Sequence, residues 1–185
     1  MTKIRLDTRD AIIEAAFQLF AEQPTASLGD LAKRAGVGRA TLHRHFPGRP
    51  ELMRALAKIA MEELDEAVKE ATANAETFEE GFRLAMHASV ALASRQWFLA
   101  HQGVDADEEV GAIYQASLDE LRTDIDKAKD EGLFDKTIPT AWIAEVHENL
   151  TFAAWSLVRS GEATPKQAAD LAWQTFSQGL KGPNR

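Results

Sequence analysis

The sequence predicts an all-α fold of about nine helices, with an N-terminal three-helix head on a larger helical body. Three observations carry that expectation. Apolar residues recur at three- and four-residue intervals along most of the chain, no segment alternates as a strand does, and Gly and Pro fall at helix-length intervals. With 45% hydrophobic and 27% charged residues in a chain of 185, there is enough apolar material for a buried core. The absence of cysteine excludes disulfides and thiolate metal sites. No apolar run approaches the ~18 residues of a membrane span. The start, MTKIRLDTRDAI, lacks the apolar region of a secretory signal. A soluble cytoplasmic chain is the expectation.

Taken in order, Ile12, Ala16, Leu19 and Phe20 share one face of a first helix that Pro24 ends. Ser27 caps a short second helix with Leu28, Leu31, Ala32 and Ala35 inward, and Gly36 supplies the turn after it. A third short helix runs from about Arg39 to Phe46, broken by Pro47-Gly48. Pro50 fits the first turn of a fourth helix, which carries Leu52, Leu56 and Ile59 along one line and reaches the mid-70s. Thr77 to His101 reads as one long helix, apolar on most sides and therefore central. Asp105 with Glu108 resembles a capping box for a helical stretch to Gly132, with Gly111 as its point of interruption. Pro139 opens a helix that Gly161 closes, and Thr164-Pro165 starts a last one ending near Gly179 to Gly182. This order divides the chain into a head, 1–50, with its helix-turn-helix at 27–46, a connecting helix, 51–76, and a body, 77–185.

The net charge of -8 hides an asymmetry. Through Lys58 there are ten Lys+Arg against six Asp+Glu, or +4; the remainder has 21 - 10 = 11 against 29 - 6 = 23, or -12. The cations crowd into LAKRAGVGRATLHRHFPGRPEL, from Leu31 to Leu52. Two short helices joined by AGVG form a helix-turn-helix pattern. The second helix of that motif enters the major groove of DNA with its N-terminal residues at base edges. Arg39 can hold a guanine with two hydrogen bonds, small Ala40 lets the backbone approach, and Thr41 suits a phosphate or a thymine methyl. His43 and Arg44, one turn on, point toward the groove walls. His45, Arg49 and Arg54 suit phosphate neutralisation, and Ser27 joins this DNA-facing set. Lys3, Arg5 and Arg9 precede the first helix and suit an arm along the minor groove.

From Thr8 to about Leu64 the chain resembles the DNA-binding domain of the tetracycline-repressor (TetR) family. The residues that carry the resemblance are AAFQLFAE, LGDLAKRAGVGRATLHRHF and PGRPEL. Four positions depart from the family pattern. Gly38 stands where a serine usually caps the recognition helix, His43 where tyrosine is usual, Arg49 for lysine, and Gln23-Pro24 for a glycine. The remainder is similar only in helical layout and in the turn AKDEGLFD.

The resemblance implies a homodimeric transcriptional regulator, a repressor released from a palindromic operator by a small molecule bound in the second domain. The sequence offers material for both implied features. In the helix from Thr140 to Arg159, Trp142, Val146, Leu150, Ala153, Ala154 and Leu157 share one broad face, with Phe152 and Trp155 on the other. The last helix carries the stripe Ala169, Ala172, Trp173, Phe176 and Leu180. Doubled by a two-fold axis these helices make a four-helix bundle, with Phe152, Trp155, Ala169, Trp173 and Phe176 at the interface. For the pocket, Phe82, Met86 and Trp97 line the central helix, with His87, Ser94 and His101 beside them, and Tyr114, Phe134, Trp142, Val146, His147 and Asn149 can face them.

Other chemistries find little support. Helical histidines seven residues apart stand roughly 10 Å apart, too far for one metal ion. His147-Glu148 begins a zinc-protease motif, but Thr151 occupies the place of its second histidine. Gly36-x-Gly38 follows no strand and lacks a third glycine, so it is no dinucleotide fingerprint. With no serine or carboxylate pair set for catalysis, the expectation is no enzyme, no cofactor and no metal. The alternative of another class is a helical ligand-binding protein whose basic head docks a protein partner. Salt-sensitive binding to duplex DNA separates the two.

Overall fold

The computed structural model describes residues 7–93, 95–96 and 107–179. Lys3, Arg5, Ser94, Trp97, His101, Asp105 and Leu180 lie outside the described residues. Eight helices and no strand occur among the described ones, so the expected all-α fold is the observed one.

The head is built from α1 (Thr8–Glu22), α2 (Leu28–Arg34), α3 (Arg39–His45) and the first half of α4 (Arg49–Thr72). Their inward stripes, Ile12, Phe17 and Phe20, then Leu31, then Leu42 and Phe46, then Leu52 and Leu56, make one buried core. The turn between α2 and α3 needs a left-handed residue, and Gly36 supplies it with φ 68°. α4 has Gly48 as its N-cap and Pro50 in its first turn. At 24 residues it is about 36 Å long, enough to leave the head and run through the body.

The body comprises α5 (Phe78–Ala91), α6 (Glu108–Asp130), α7 (Thr140–Ser160) and α8 (Pro165–Gly179). Its core gathers Phe82 and Met86 from α5, Ile125 from α6, Phe134 from the loop after α6, Ile143 and Ala154 from α7, and Ala169 and Phe176 from α8. Two local expectations are corrected. The helix expected from Thr77 to His101 turns at Leu92, and helical residues resume at 93. Ser89 Oγ donates back to the Ala85 carbonyl at 2.8 Å, a bond within the helix of the kind that bends it just before this turn. α6 is capped by Asp107, whose carboxylate accepts from the amides of Glu109 and Val110, each at 3.2 Å. It runs through Gly111 without a break.

Candidate nucleic-acid interface

α2 begins with a reciprocal cap. The Asp30 amide donates to Ser27 Oγ at 3.2 Å, while the Ser27 amide and hydroxyl donate to Asp30 Oδ2 at 3.2 and 2.6 Å. Chief among the causes, the Ser27 hydroxyl holds the Asp30 carboxyl below the usual carboxylate range. Ser27, expected to face DNA, is exposed and also has a structural task. Its hydroxyl is committed to a carboxylate and builds α2.

α3 is anchored by Leu42 and Phe46, both buried, so the rest of its surface faces away from the core. Arg39, Ala40, His43, Arg44 and His45 are exposed and Thr41 is half-buried. Gly38, the N-cap, supplies no side chain, and nothing lies near where its Cβ would stand. The Arg39 guanidinium lies across α2, where a Cβ on Gly29 would come within 3.2 Å of it. Arg44 donates to Thr41 Oγ1 at 3.1 Å, and Nδ1 of His43 lies 3.0 Å from the Pro47 carbonyl. Leu42 and Phe46 thus pin one side of α3, and Arg39 and Arg44 stand on its exposed surface.

Arg49 does something else. It was expected to neutralise phosphate, but its guanidinium turns inward, donating to the Pro24 and Ala26 carbonyls at 2.7 Å each and lying 4.5 Å over the Phe20 ring. The first residue of α4 thus locks the α1–α2 turn. Arg9, expected in an arm, belongs to α1 and lies over Phe46, 5.6 Å from its centroid. Arg54 pairs with Asp107, the α6 cap, at 2.7 Å, and this bond holds the Asp107 carboxyl low.

That pair is one joint between head and body among the described residues. Beside it, Lys58 pairs with Glu109, and Val110 buries itself in the head core. The second joint is Arg95, bonded to Glu14 on α1 at 2.6 Å and Glu63 on α4 at 2.8 Å, and lying over Phe17. Sequence reasoning did not single out Arg95. Its partners are 81 and 32 residues away in the chain, and no local pattern marks such a bridge. Gln96 reinforces it by donating to the Ala60 carbonyl at 2.7 Å. The third is Arg159, which reaches the Ala21 carbonyl at 3.3 Å.

In the body, the expected pocket residues divide: Phe82, Met86, Phe134, Val146 and His147 gather in one core, whereas Tyr114, Trp142 and Asn149 do not join them. Phe82 and Met86 are core residues, with Val146 packed partly against them. His87 pairs with Asp170 at 3.1 Å. Tyr114 is exposed and its hydroxyl donates to Glu148, which, after burial, helps raise its pKa. Trp142 is 60% exposed, and Asn149, also exposed, donates to the Glu145 carbonyl. The physical reason is the rotation of α7: its inward line is Ile143, Ala144, His147, Thr151 and Ala154. Trp142 and Asn149 stand on the opposite side at about 100° per residue.

The expected dimer stripe is corrected in the same way. Ala169 and Phe176 are 1% and 0% exposed within a single subunit, leaving no surface for a partner. Trp155 donates its ring N–H to the Ser89 carbonyl at 2.9 Å, and Trp173 packs on Phe176. Of the expected set, Phe152 stays exposed. The outward apolar groups on α7 and α8 are Trp142, Phe152 and Leu171.

His147, one of the residues expected to face the pocket, is turned into the aromatic core. His147 lies edge-on to Phe82 and Phe176, with centroids 6.2 and 5.4 Å away, and its Nδ1 is sealed from solvent without a hydrogen-bond partner. Burial pushes its pKa down to about 4. Among the described residues no group of three His, Asp or Glu is placed to hold a metal ion, and no helix is long and apolar enough to cross a membrane.

Residues 12–56 match the family described as bacterial regulatory proteins, tetR family. Over 175 residues the chain is 29% identical to the HTH-type transcriptional repressor LfrR of Mycolicibacterium smegmatis, covering 94% of this chain and 90% of that one. It is also 29% identical to the HTH-type transcriptional regulator NfxB of Pseudomonas aeruginosa, with 100% of both chains covered. The crystal structure of LfrR in complex with proflavine aligns with a TM-score of 0.79 at 27% identity, covering 95% of this chain and 97% of that one.

Proposed function

We propose that the chain is a DNA-binding transcriptional regulator of the TetR family, a homodimeric repressor released from a palindromic operator by a flat aromatic small molecule. The observation that carries the proposal is α3, a helix pinned by Leu42 and Phe46 with Arg39 and Arg44 on its exposed side. In this reading residues 1–50 form the reading head, 51–76 the connector and 77–185 the effector and dimer body. The apolar groups left on the outer faces of α7 and α8 support pairing of two bodies there. Two heads then bind successive major grooves about 34 Å apart.

Release works through the joints. A ligand that spreads the aromatic core around Phe82, Phe134 and Phe176 shifts the end of α5 and the start of α6. Arg95 and the Arg54–Asp107 pair pass that shift to α1 and α4. The heads leave their spacing on DNA. A tenfold loss of operator affinity requires about 1.4 kcal/mol of preference for the released conformation. The aromatic class of ligand is supported by the proflavine bound to LfrR and by the phenylalanine-rich core here.

The test is selection from a random duplex pool by the purified protein at about 0.15 M salt, repeated with proflavine as the probe ligand. The proposal expects an enriched palindrome and weaker retention with proflavine. Retention of all sequences alike would contradict an operator-binding role, and identical retention with bound proflavine would contradict release by that compound.

Two substitutions probe the parts. Arg39→Ala should cost the selected site about tenfold or more in affinity and random DNA much less, because a two-bond contact to guanine discriminates by about 1–3 kcal/mol. Equal losses on both DNAs would remove Arg39 from base reading. Phe152→Asp should shift the protein to monomer in sedimentation and cost about 100-fold in operator affinity, since the second head no longer binds as part of the same particle. A variant that stays dimeric would place the interface elsewhere.

A further inference from the structure

The bond from His43 to Pro47 fixes more than a side-chain position. The Pro47 carbonyl can only accept, so Nδ1, 3.0 Å away, carries the proton, and in the neutral ring Nε2 keeps a bare lone pair. His43 is exposed, one helical turn beyond Arg39, and the two residues line one open groove between α2 and α3. Around it the outward groups are donors. Arg39 and Arg44 have no acceptor at all, and the Thr41 oxygen already receives a bond from Arg44. His45, two residues on, falls on the opposite flank of the helix. His43 therefore places an oriented acceptor among cations.

We propose that His43 is a specificity-determining residue that reads an exocyclic amino group in the major groove, N6 of adenine or N4 of cytosine. The proposal rests on the reading of α3 as the operator-reading helix. The major-groove edge presents guanine N7 and O6 and thymine O4 as acceptors, and phosphate oxygens are acceptors too. All of these repel a bare Nε2. Adenine N6 and cytosine N4 are the donors on that edge, so they are the groups that satisfy it. Arg39 supplies the complement by donating to guanine. Four residues of helix separate the two by about 6 Å, under two base steps of about 3.4 Å. The amino-bearing base thus lies within about two steps of the guanine in each half-site.

The experiment selects operators from a random duplex pool with the full-length wild type, His43→Phe and His43→Gln, at pH 8 to keep imidazoles neutral. Wild type is expected to enrich a palindrome in which one position per half-site, within two steps of a guanine, favours A or C by about tenfold. His43→Phe should enrich the same palindrome with that preference reduced to under about twofold. His43→Gln, whose amide oxygen still accepts, should keep a preference for adenine there. If His43→Phe retains every base preference, or loses affinity equally on all sequences as a phosphate contact would, the proposal is overturned. If the wild type enriches no sequence while the other two also fail, the operator reading itself falls, and this proposal with it. Unchanged thermal midpoints in both variants exclude misfolding as the source of any difference.

Discussion

Arg49→Met should destabilise the head by about 2–3 kcal/mol while leaving its salt dependence on DNA nearly intact. The arginine makes two charge-assisted bonds at 2.7 Å to the Pro24 and Ala26 carbonyls and covers Phe20. Bonds of this type contribute about 1.5–3 kcal/mol each when removal leaves the acceptors unmet, and water can reach these carbonyls, which lowers the sum. Methionine keeps the apolar stem over Phe20 and removes the donors, so the variant isolates the bonds. Urea unfolding checks the first part. The second is checked by operator binding against salt: a phosphate-binding arginine would lower the slope by about one on removal, whereas a turn lock leaves it unchanged. A stable variant with a reduced slope would return Arg49 to the DNA-contacting set.

The wild type should also lose on the order of 2 kcal/mol of stability between pH 7 and pH 5, and His147→Phe should lose much less. His147 is neutral in the folded protein, with a pKa near 4, while in the unfolded chain an imidazole takes up a proton near 6.5. A base whose folded pKa is depressed gives its full contribution above about pH 6.5. That contribution is lost progressively as the pH falls toward 4, because the unfolded state binds the extra proton. Glu63 acts in the opposite sense near its own range, since burial raises its carboxyl pKa. Comparison of the two proteins therefore isolates His147. Phenylalanine also removes the orphaned Nδ1, so His147→Phe should be more stable at pH 7 by about 1 kcal/mol. Parallel pH dependence of the urea midpoints in the two proteins would show that His147 is not the titrating group.

Much of the head was legible because its signals are local. The Ser27 cap, Gly36 at positive φ, the Pro47-Gly48 break and the spacing of Leu31, Leu42 and Leu52 all lie within a few residues of what they determine. Arg49 was misplaced for the converse reason. Its partners lie 23 and 25 residues away, and a charge in a basic run reads as solvent-facing until those carbonyls come into view. On α7 the large aromatics drew the inward face toward Trp142. The face actually buried is lined by Ile143, Ala144, Thr151 and Ala154, small or slim residues that let α5 and α8 approach closely. On α8 a single apolar stripe was visible, but periodicity does not say whether its own subunit or another covers it. Phe176 and Ala169 are covered from within. The sequence places His147 both in an incomplete zinc motif and among the inward residues, but its neutral, unpartnered state follows only from three helices meeting around it.

The central claim is that two copies of α3 are held at a fixed spacing by the paired bodies. Its most direct test compares affinity for the selected palindrome with affinity for the same palindrome carrying five extra base pairs at its centre, counting protein copies on each duplex. Half a turn of added DNA moves the half-sites to opposite faces of the helix. The account predicts two protomers on the original duplex and an affinity lower by about 100-fold on the lengthened one, where a single head engages. Equal affinity for both duplexes would mean that the heads bind independently, and the fixed-spacing dimer would be wrong.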